Sequence, residues 1–166
     1  MEIYILRHAI AVTRGTVVYP NDDRPLTEKG IKKMMKGARG ILQTVSKFDL
    51  ILSSPLKRAL HTATITAEAL GSIKKIRTSK NLLPGANCEK LFAELSKEKN
   101  LKRVLLVGHE PDLGILASTL IGSKTTTVEF KKGALCRIDI DRLPPVRPGR
   151  LIWYLAPKQL RTLAEK

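Results

Sequence analysis

Aromatic side chains are scarce in this chain: three Phe, three Tyr and one Trp make up 4% of its 166 residues. Stacked aromatic platforms of the kind that hold single-stranded nucleic acid are therefore not expected. Cysteine is rarer still, with Cys88 and Cys136 alone. The two lie far apart, with no His or Cys neighbours at zinc-ligand spacing. Both are expected as buried, reduced side chains, and no metal is expected. No apolar run reaches the length of a membrane span, so no membrane partner is expected. The start, Met1-Glu2-Ile3-Tyr4-Ile5-Leu6-Arg7, is acidic and meets Arg7 after a very short apolar run. A secretory leader has a basic start and a longer apolar stretch, so a cytoplasmic protein is the expectation. Acidic residues are few as well, 15 against 30 Lys and Arg, for a formal net charge of +15. There is no basic tail. The positive field is spread over the chain and favours anionic partners of any class.

What remains is an ordinary globular mixture, 43% hydrophobic and 27% charged, which excludes wholesale disorder, collagen-like repeats and coiled coil. The length suits one domain over residues 1–166. A domain of this size buries roughly 70% of the surface that its unfolded chain exposes. It needs no metal or disulfide merely to stay folded.

Short apolar runs at residues 3–6, 50–52 and 104–107 read as buried strands. Weaker strand signals lie at residues 74–78, 126–130, 135–140 and 151–155. Residues 12–23, with Gly15, Pro20 and Asn21-Asp22-Asp23, read as a loop. Thr27 can cap a helix that starts at Glu28 and carries Ile31, Met34, Met35, Ala38, Ile41, Leu42 and Val45 at helical spacing. Ser53-Ser54-Pro55 reads as a capping serine and a first-turn proline. The helix after it has Leu56, Ala59, Ala63, Ala67 and Leu70 as its inner stripe. Cys88, Leu91, Phe92 and Leu95 mark a short helix. Leu113, Leu116, Ala117 and Leu120 mark another, and residues 159–164 a last one. Strands alternate with helices to about residue 121, and strands dominate afterwards. This predicts an α/β fold in three α/β/α layers, its central sheet largely parallel with antiparallel late strands.

Each confident strand ends in polar residues. Arg7-His8 follows the first. Ser53-Ser54-Pro55 follows the second, with Arg58 in the next helical turn. Gly108-His109-Glu110-Pro111 follows the third. In a parallel sheet these carboxyl ends share one edge, where open α/β sheets bind ligands. Two arginines and two histidines would meet there. Guanidinium forks match phosphate oxygens, and neutral imidazole can attack phosphorus and carry a phosphoryl group covalently. Nearby arginines favour the neutral ring by like-charge repulsion.

These segments are familiar together. Leu6-Arg7-His8-Ala9, Arg24-Pro25-Leu26-Thr27-Glu28-Lys29-Gly30, the run from Ser53 to Ala63 and Val107-Gly108-His109-Glu110-Pro111 resemble, in order and spacing, four motifs of the histidine phosphatase superfamily. That superfamily has the phosphoglycerate mutase-like fold. The short length and the Gly-His-Glu-Pro form look most like the SixA-type phosphohistidine phosphatase branch. The resemblance implies that His8 is the phosphorylated nucleophile. It implies that Arg7, Arg58 and His109 bind the phosphoryl group, that Arg24 reaches the same pocket, and that no cofactor or metal is needed. Two departures stand out. Ala9 replaces a common glycine. The stretch Asn81-Leu82-Leu83-Pro84-Gly85-Ala86-Asn87 lacks the acidic proton donor that mutases and many larger phosphatases carry after the second helix.

An alkoxide leaving group needs a general acid, worth about a hundredfold or more in rate, whereas a phosphoramidate leaves readily once its nitrogen is protonated. The missing acid therefore favours phosphohistidine on a partner protein as substrate. Asp22, Asp23 and Glu110 are candidate substitutes for it. Alternatives are a small phosphorylated metabolite, or a basic nucleic-acid- or phosphoprotein-binding protein with a degenerate pocket. The absent basic tail and the few aromatics weigh against nucleic acid.

Overall fold

Seen from its backbone, the chain alternates. The computed structural model describes residues 1–124 and 128–165. It runs through β1 (Glu2–Arg7), α1 (Glu28–Leu42), β2 (Leu50–Ser53), α2 (Lys57–Ala69), β3 (Ile76–Thr78) and α3 (Cys88–Leu95). It continues through β4 (Arg103–Gly108), α4 (Asp112–Leu120), β5 (Leu135–Asp139), β6 (Arg150–Leu155) and α5 (Pro157–Leu163). One sheet has the order β3-β2-β4-β1-β5-β6. β3, β2, β4 and β1 are parallel; β5 pairs antiparallel with β1, and β6 pairs antiparallel with β5. This is the α/β architecture that the pattern predicts.

The runs in β1 and β4 are apolar throughout because helices cover both faces of a parallel sheet. Successive side chains face opposite ways. Ile3, Ile5, Val104 and Leu106 join a core with Leu91, Phe92 and Leu116 from α3 and α4. Tyr4, Leu6, Leu105 and Val107 join the other, with Met34, Ala63 and Leu160 from α1, α2 and α5. The register ends three strands level: Arg7 pairs with Gly108, and Ser53 with Val107. His8, Ser54 and His109 therefore emerge side by side.

Local details depart from the sequence reading in several places. Thr27 does cap α1, its hydroxyl accepting from the Gly30 N–H at 3.0 Å. However, α1 stops at Leu42, so Val45 is buried from the following loop, and Met35 and Leu42 lie on the exposed side. α2 begins at Lys57 rather than at Pro55, with no side-chain cap on its N-cap Leu56; Ser54 Oγ meets both the Leu56 N–H and His109. Its inner stripe includes Thr62 and Thr66, whose hydroxyls are satisfied by the carbonyls one turn back. The third strand is short, Ile76–Thr78, behind a 3-10 turn over Ile73–Lys75. The expected strand over residues 126–130 falls partly outside the described residues, and Val128, Glu129 and Phe130 lie in no strand. Cys136 is buried and Cys88 only half-buried; both are free thiols.

Two helix–chain contacts need glycine. A Cβ on Gly30 would lie 2.0 Å from the Ile10 carbonyl oxygen, and one on Gly40 1.8 Å from that of Leu160. The first presses the segment after His8 onto α1; the second docks α5 on α1. A Cβ on Gly37, in the same helix, would meet nothing within 4 Å. Gly40→Ala should therefore destabilise the fold by about 1–3 kcal/mol through overpacking. Gly37→Ala should stabilise it by about 0.5–1 kcal/mol through helix propensity. Urea midpoints of the two variants check both signs.

Candidate active site

His8 lies one residue past the end of β1, its backbone N–H donating to the Gly108 carbonyl at 3.1 Å. It is 4% exposed. Its Nδ1 sits 2.7 Å from the carbonyl oxygen of Ala9. A carbonyl can only accept, so Nδ1 carries the proton and Nε2 keeps a lone pair. That lone pair faces the Nε–H of Arg58 at 3.3 Å. Ala9 is held in turn by α2. Its N–H donates to Thr62 Oγ1 at 3.0 Å, and the Thr62 hydroxyl donates to the Arg58 carbonyl at 2.7 Å.

Arg58, in the first turn of α2, is 2% exposed. Its Nη2 pairs with Asp22 Oδ2 at 3.0 Å, and its Nη1 donates to the Asp22 carbonyl. Arg24 reaches the same carboxylate, Nε to Oδ1 at 3.4 Å, and donates from Nη1 to the Val12 carbonyl at 2.6 Å. Arg24 thus touches Arg58 only through Asp22. Arg7, the last residue of β1, donates from Nη1 to the Phe130 carbonyl at 2.5 Å. Its buried Nε has no hydrogen-bond partner among the described residues.

His109 follows β4 directly. Its ring centroid is 5.1 Å from that of His8, and its Nε2 lies 2.8 Å from Ser54 Oγ. The Ser54 oxygen also accepts from the Leu56 N–H at 3.4 Å. The buried Nδ1 of His109 has no partner among the described residues. The edge formed by β1, β2 and β4 thus gathers His8, His109 and Arg58, with Arg7 entering from the side of Phe130.

The electrostatics suit an anion. Burial, with His109, Arg58 and Arg7 nearby, pushes the His8 imidazolium down from 6.5 to about 3. Burial and Arg58 push His109 down to about 4. Both rings are neutral at neutral pH. Arrival of a dianion would favour the charged form of His109. Burial also lowers Arg58, and Asp22 opposes that.

The three carboxylates read as candidate acids are committed elsewhere. Burial raises Asp22, but Arg58 and Arg24 outweigh it and hold the group below the ordinary carboxylate range. Asp23 is lowered by Lys57, bonding its backbone N–H at 3.1 Å and its ammonium at 3.0 Å. Burial raises Glu110, yet its Oε1 accepts from the Phe130 N–H at 2.7 Å. Since the Phe130 carbonyl holds Arg7, Glu110 orients Arg7 at one remove. Sequence reasoning missed Ser54 as a histidine partner, Asp22 as the tie between two arginines, and Lys132. The Lys132 ammonium is lowered by burial and by the like charges of Arg7, Arg24 and Arg58. Only the Ser-Ser-Pro motif offered a signal, and it pointed to a helix cap.

Residues 3–83 match the family model of the histidine phosphatase superfamily (branch 1). An uncharacterized protein of Picosynechococcus sp. is 37% identical over 96% of this chain and 99% of its own length. The protein histidine phosphatase SixA, solved with tungstate, superposes with a TM-score of 0.81 at 25% identity, over 96% of this chain and 99% of that one. The SixA protein of Agrobacterium tumefaciens gives 0.76 at 26%, over 94% and 97%. A mycobacterial glucosyl-3-phosphoglycerate phosphatase shares the fold at 0.71 and 18% identity, over 93% and 98%.

The two neutral rings set an acid-stability prediction. Their folded values lie below the unfolded 6.5. Above that pH neither state binds a proton there. Below it the unfolded chain binds protons that the folded one refuses, so stability falls as pH drops toward the folded values. By about pH 5 the loss should be on the order of 2 kcal/mol per ring. Urea midpoints measured between about pH 7.5 and 5 should fall less steeply in His109→Gln than in the parent. Parallel slopes would contradict the assignment.

Proposed function

Because the chain belongs to the histidine phosphatase superfamily, in its SixA-type branch, we propose that it is a metal-independent phosphatase acting on phosphohistidine of a partner protein. The observation that carries this reading is the His8 ring. Its tautomer is set by Ala9, and its unprotonated Nε2 accepts from the Arg58 Nε–H beside His109.

In the first step Nε2 of His8 attacks phosphorus, forming a P–N bond to His8 as the P–N bond to the substrate imidazole breaks. The departing imidazole, protonated at its other nitrogen, leaves as a neutral ring and needs no enzyme acid. In the second step water attacks the phosphorus of phospho-His8. Inorganic phosphate is released, and His8 returns to its neutral form. The guanidinium groups of Arg7 and Arg58 and one N–H of His109 stabilise charge on the equatorial oxygens during transfer. Arg24 acts through Asp22, which keeps the Arg58 fork oriented. That the similar SixA protein takes up tungstate, a phosphate-like oxyanion, supports an oxyanion-binding role for this chain. The carboxylates around the site favour phosphohistidine over phosphomonoesters, since Asp22 and Asp23 are held ionised and Glu110 is bonded to backbone.

His8→Ala should abolish phosphate release from an aryl phosphate, a loss of at least about a thousandfold, while circular dichroism shows an unchanged fold. Retained turnover in the folded variant would end the covalent mechanism. In the parent, a phosphohistidine protein should be turned over about a hundredfold or more faster than sugar phosphates, nucleotides or phosphotyrosine peptides. Equal or faster release from a phosphomonoester would move the assignment to small phosphoesters.

A further inference from the structure

The cavity of about 500 Å³ beside the site has no role in the chemistry above. One end of it is the site itself, since Arg7, Ala9 and Ile10 line it. Three walls complete it: one face of α1, the 129–133 segment, and the start of α5. Its charge is one-sided. Lys33, Lys131, Lys132, Lys158 and Arg161 line it with Arg7, and Glu129 is the one carboxylate. None of these five cations forms a salt bridge among the described residues. The ion pair that α1 makes among the described residues instead joins Lys36 to Glu165, just past α5. The floor is apolar, built from Ile10, Met34 and Pro157, and Gly37 leaves space where a side chain would project. Lys132 is depressed first by burial and then by the like charges of Arg7, Arg24 and Arg58, so cavity and site share one electrostatic environment.

We propose that this cavity seats the acidic side chains flanking the phosphorylated residue of a protein substrate; the proposal rests on the phosphohistidine reading for its source of ligand. Its size is that of a ligand site. Its cations are mostly exposed lysines at the rim, with Lys33, Lys131, Lys132 and Lys158 all open to solvent. A small metabolite is usually fixed by a few convergent, well-placed polar groups. Mobile ammonium groups around an apolar floor suit Asp and Glu side chains on an extended segment, whose methylenes lie on the floor while their carboxylates meet the rim. The formal +15 of the chain adds long-range attraction, and the cavity gives that attraction a docking point next to His8.

The test uses aryl phosphate hydrolysis at low salt, with an unphosphorylated peptide of Asp and Glu around a central His as competitor. The peptide should inhibit competitively, and a neutral peptide of equal length should not. Lys33→Glu with Lys158→Glu should weaken that inhibition at least tenfold, while kcat and KM for the aryl phosphate stay within twofold. Lys74→Glu with Lys75→Glu, the same charge change at the far β3 edge, should leave inhibition unchanged. Equal inhibition by both peptides, or equal weakening by the remote pair, overturns the proposal. So does an equal loss of inhibition by inorganic pyrophosphate or an oligonucleotide in the cavity variant, since the cavity then serves anions at large. Turnover of a phosphohistidine protein is scored separately. If that turnover is present while the acidic peptide is ignored, the functional reading stands and the cavity assignment falls. Inhibition that responds to the cavity variant, with no such turnover, keeps the assignment of an acidic protein segment and removes the phosphohistidine reading.

Discussion

The site depends on a histidine kept neutral among arginines. Free imidazole is half-protonated near pH 6.5, and a protonated ring has no lone pair to give. Here burial does most of the work, and the adjacent guanidinium of Arg58 and the second imidazole add like-charge cost. The Ala9 carbonyl then directs the single proton to Nδ1. The same arginines that discourage a proton attract a phosphoryl dianion. In the function proposed above, one cluster of fixed charge thus prepares the nucleophile and gathers its target.

That cluster is itself costly to assemble, and the fold offsets the cost by local ties. Arg58 is nearly sealed from water and is matched by Asp22, whose carboxylate also meets Arg24 and Arg14. Arg7 is braced by the Phe130 carbonyl, and Glu110 fastens the N–H of that same residue. Glycine at positions 30 and 40 lets backbone approach backbone, which brings residue 10 and α5 onto α1. Positioning of the candidate site therefore reaches well beyond His8, His109 and the arginines themselves.

The family match spans residues 3–83, while the cationic cavity draws two of its walls from residues 129–133 and from α5. Just before β5, the Ala134 carbonyl accepts from the Arg7 N–H at 3.1 Å, which ties the 129–133 wall to the candidate site.

How much of this was legible in one dimension follows from the range of the forces involved. Apolar runs and helical stripes report burial, which is a local preference, so β1, β2, β4 and the helices could be read directly. The polar residues behind three strand ends could be grouped because parallel strands finish on a common edge. Helix starts were less certain: a serine before a proline is a common cap, yet Ser54 turns to His109, 55 positions away. The exposed faces of Met35 and Leu42 were misread because periodicity marks a stripe without telling how wide its partner is. Asp22 reads as a turn residue; Arg24 stands two positions on, but nothing nearby announces Arg58. The type and order of its elements, and the chemistry gathered at its strand ends, were set within the amino-acid string. Which nitrogen of His8 is bare, what holds each arginine and where the lysines of α1 and α5 converge were decided only in three dimensions. Hydrogen bonds and like-charge repulsion act over a few ångströms of space, whatever the separation along the chain.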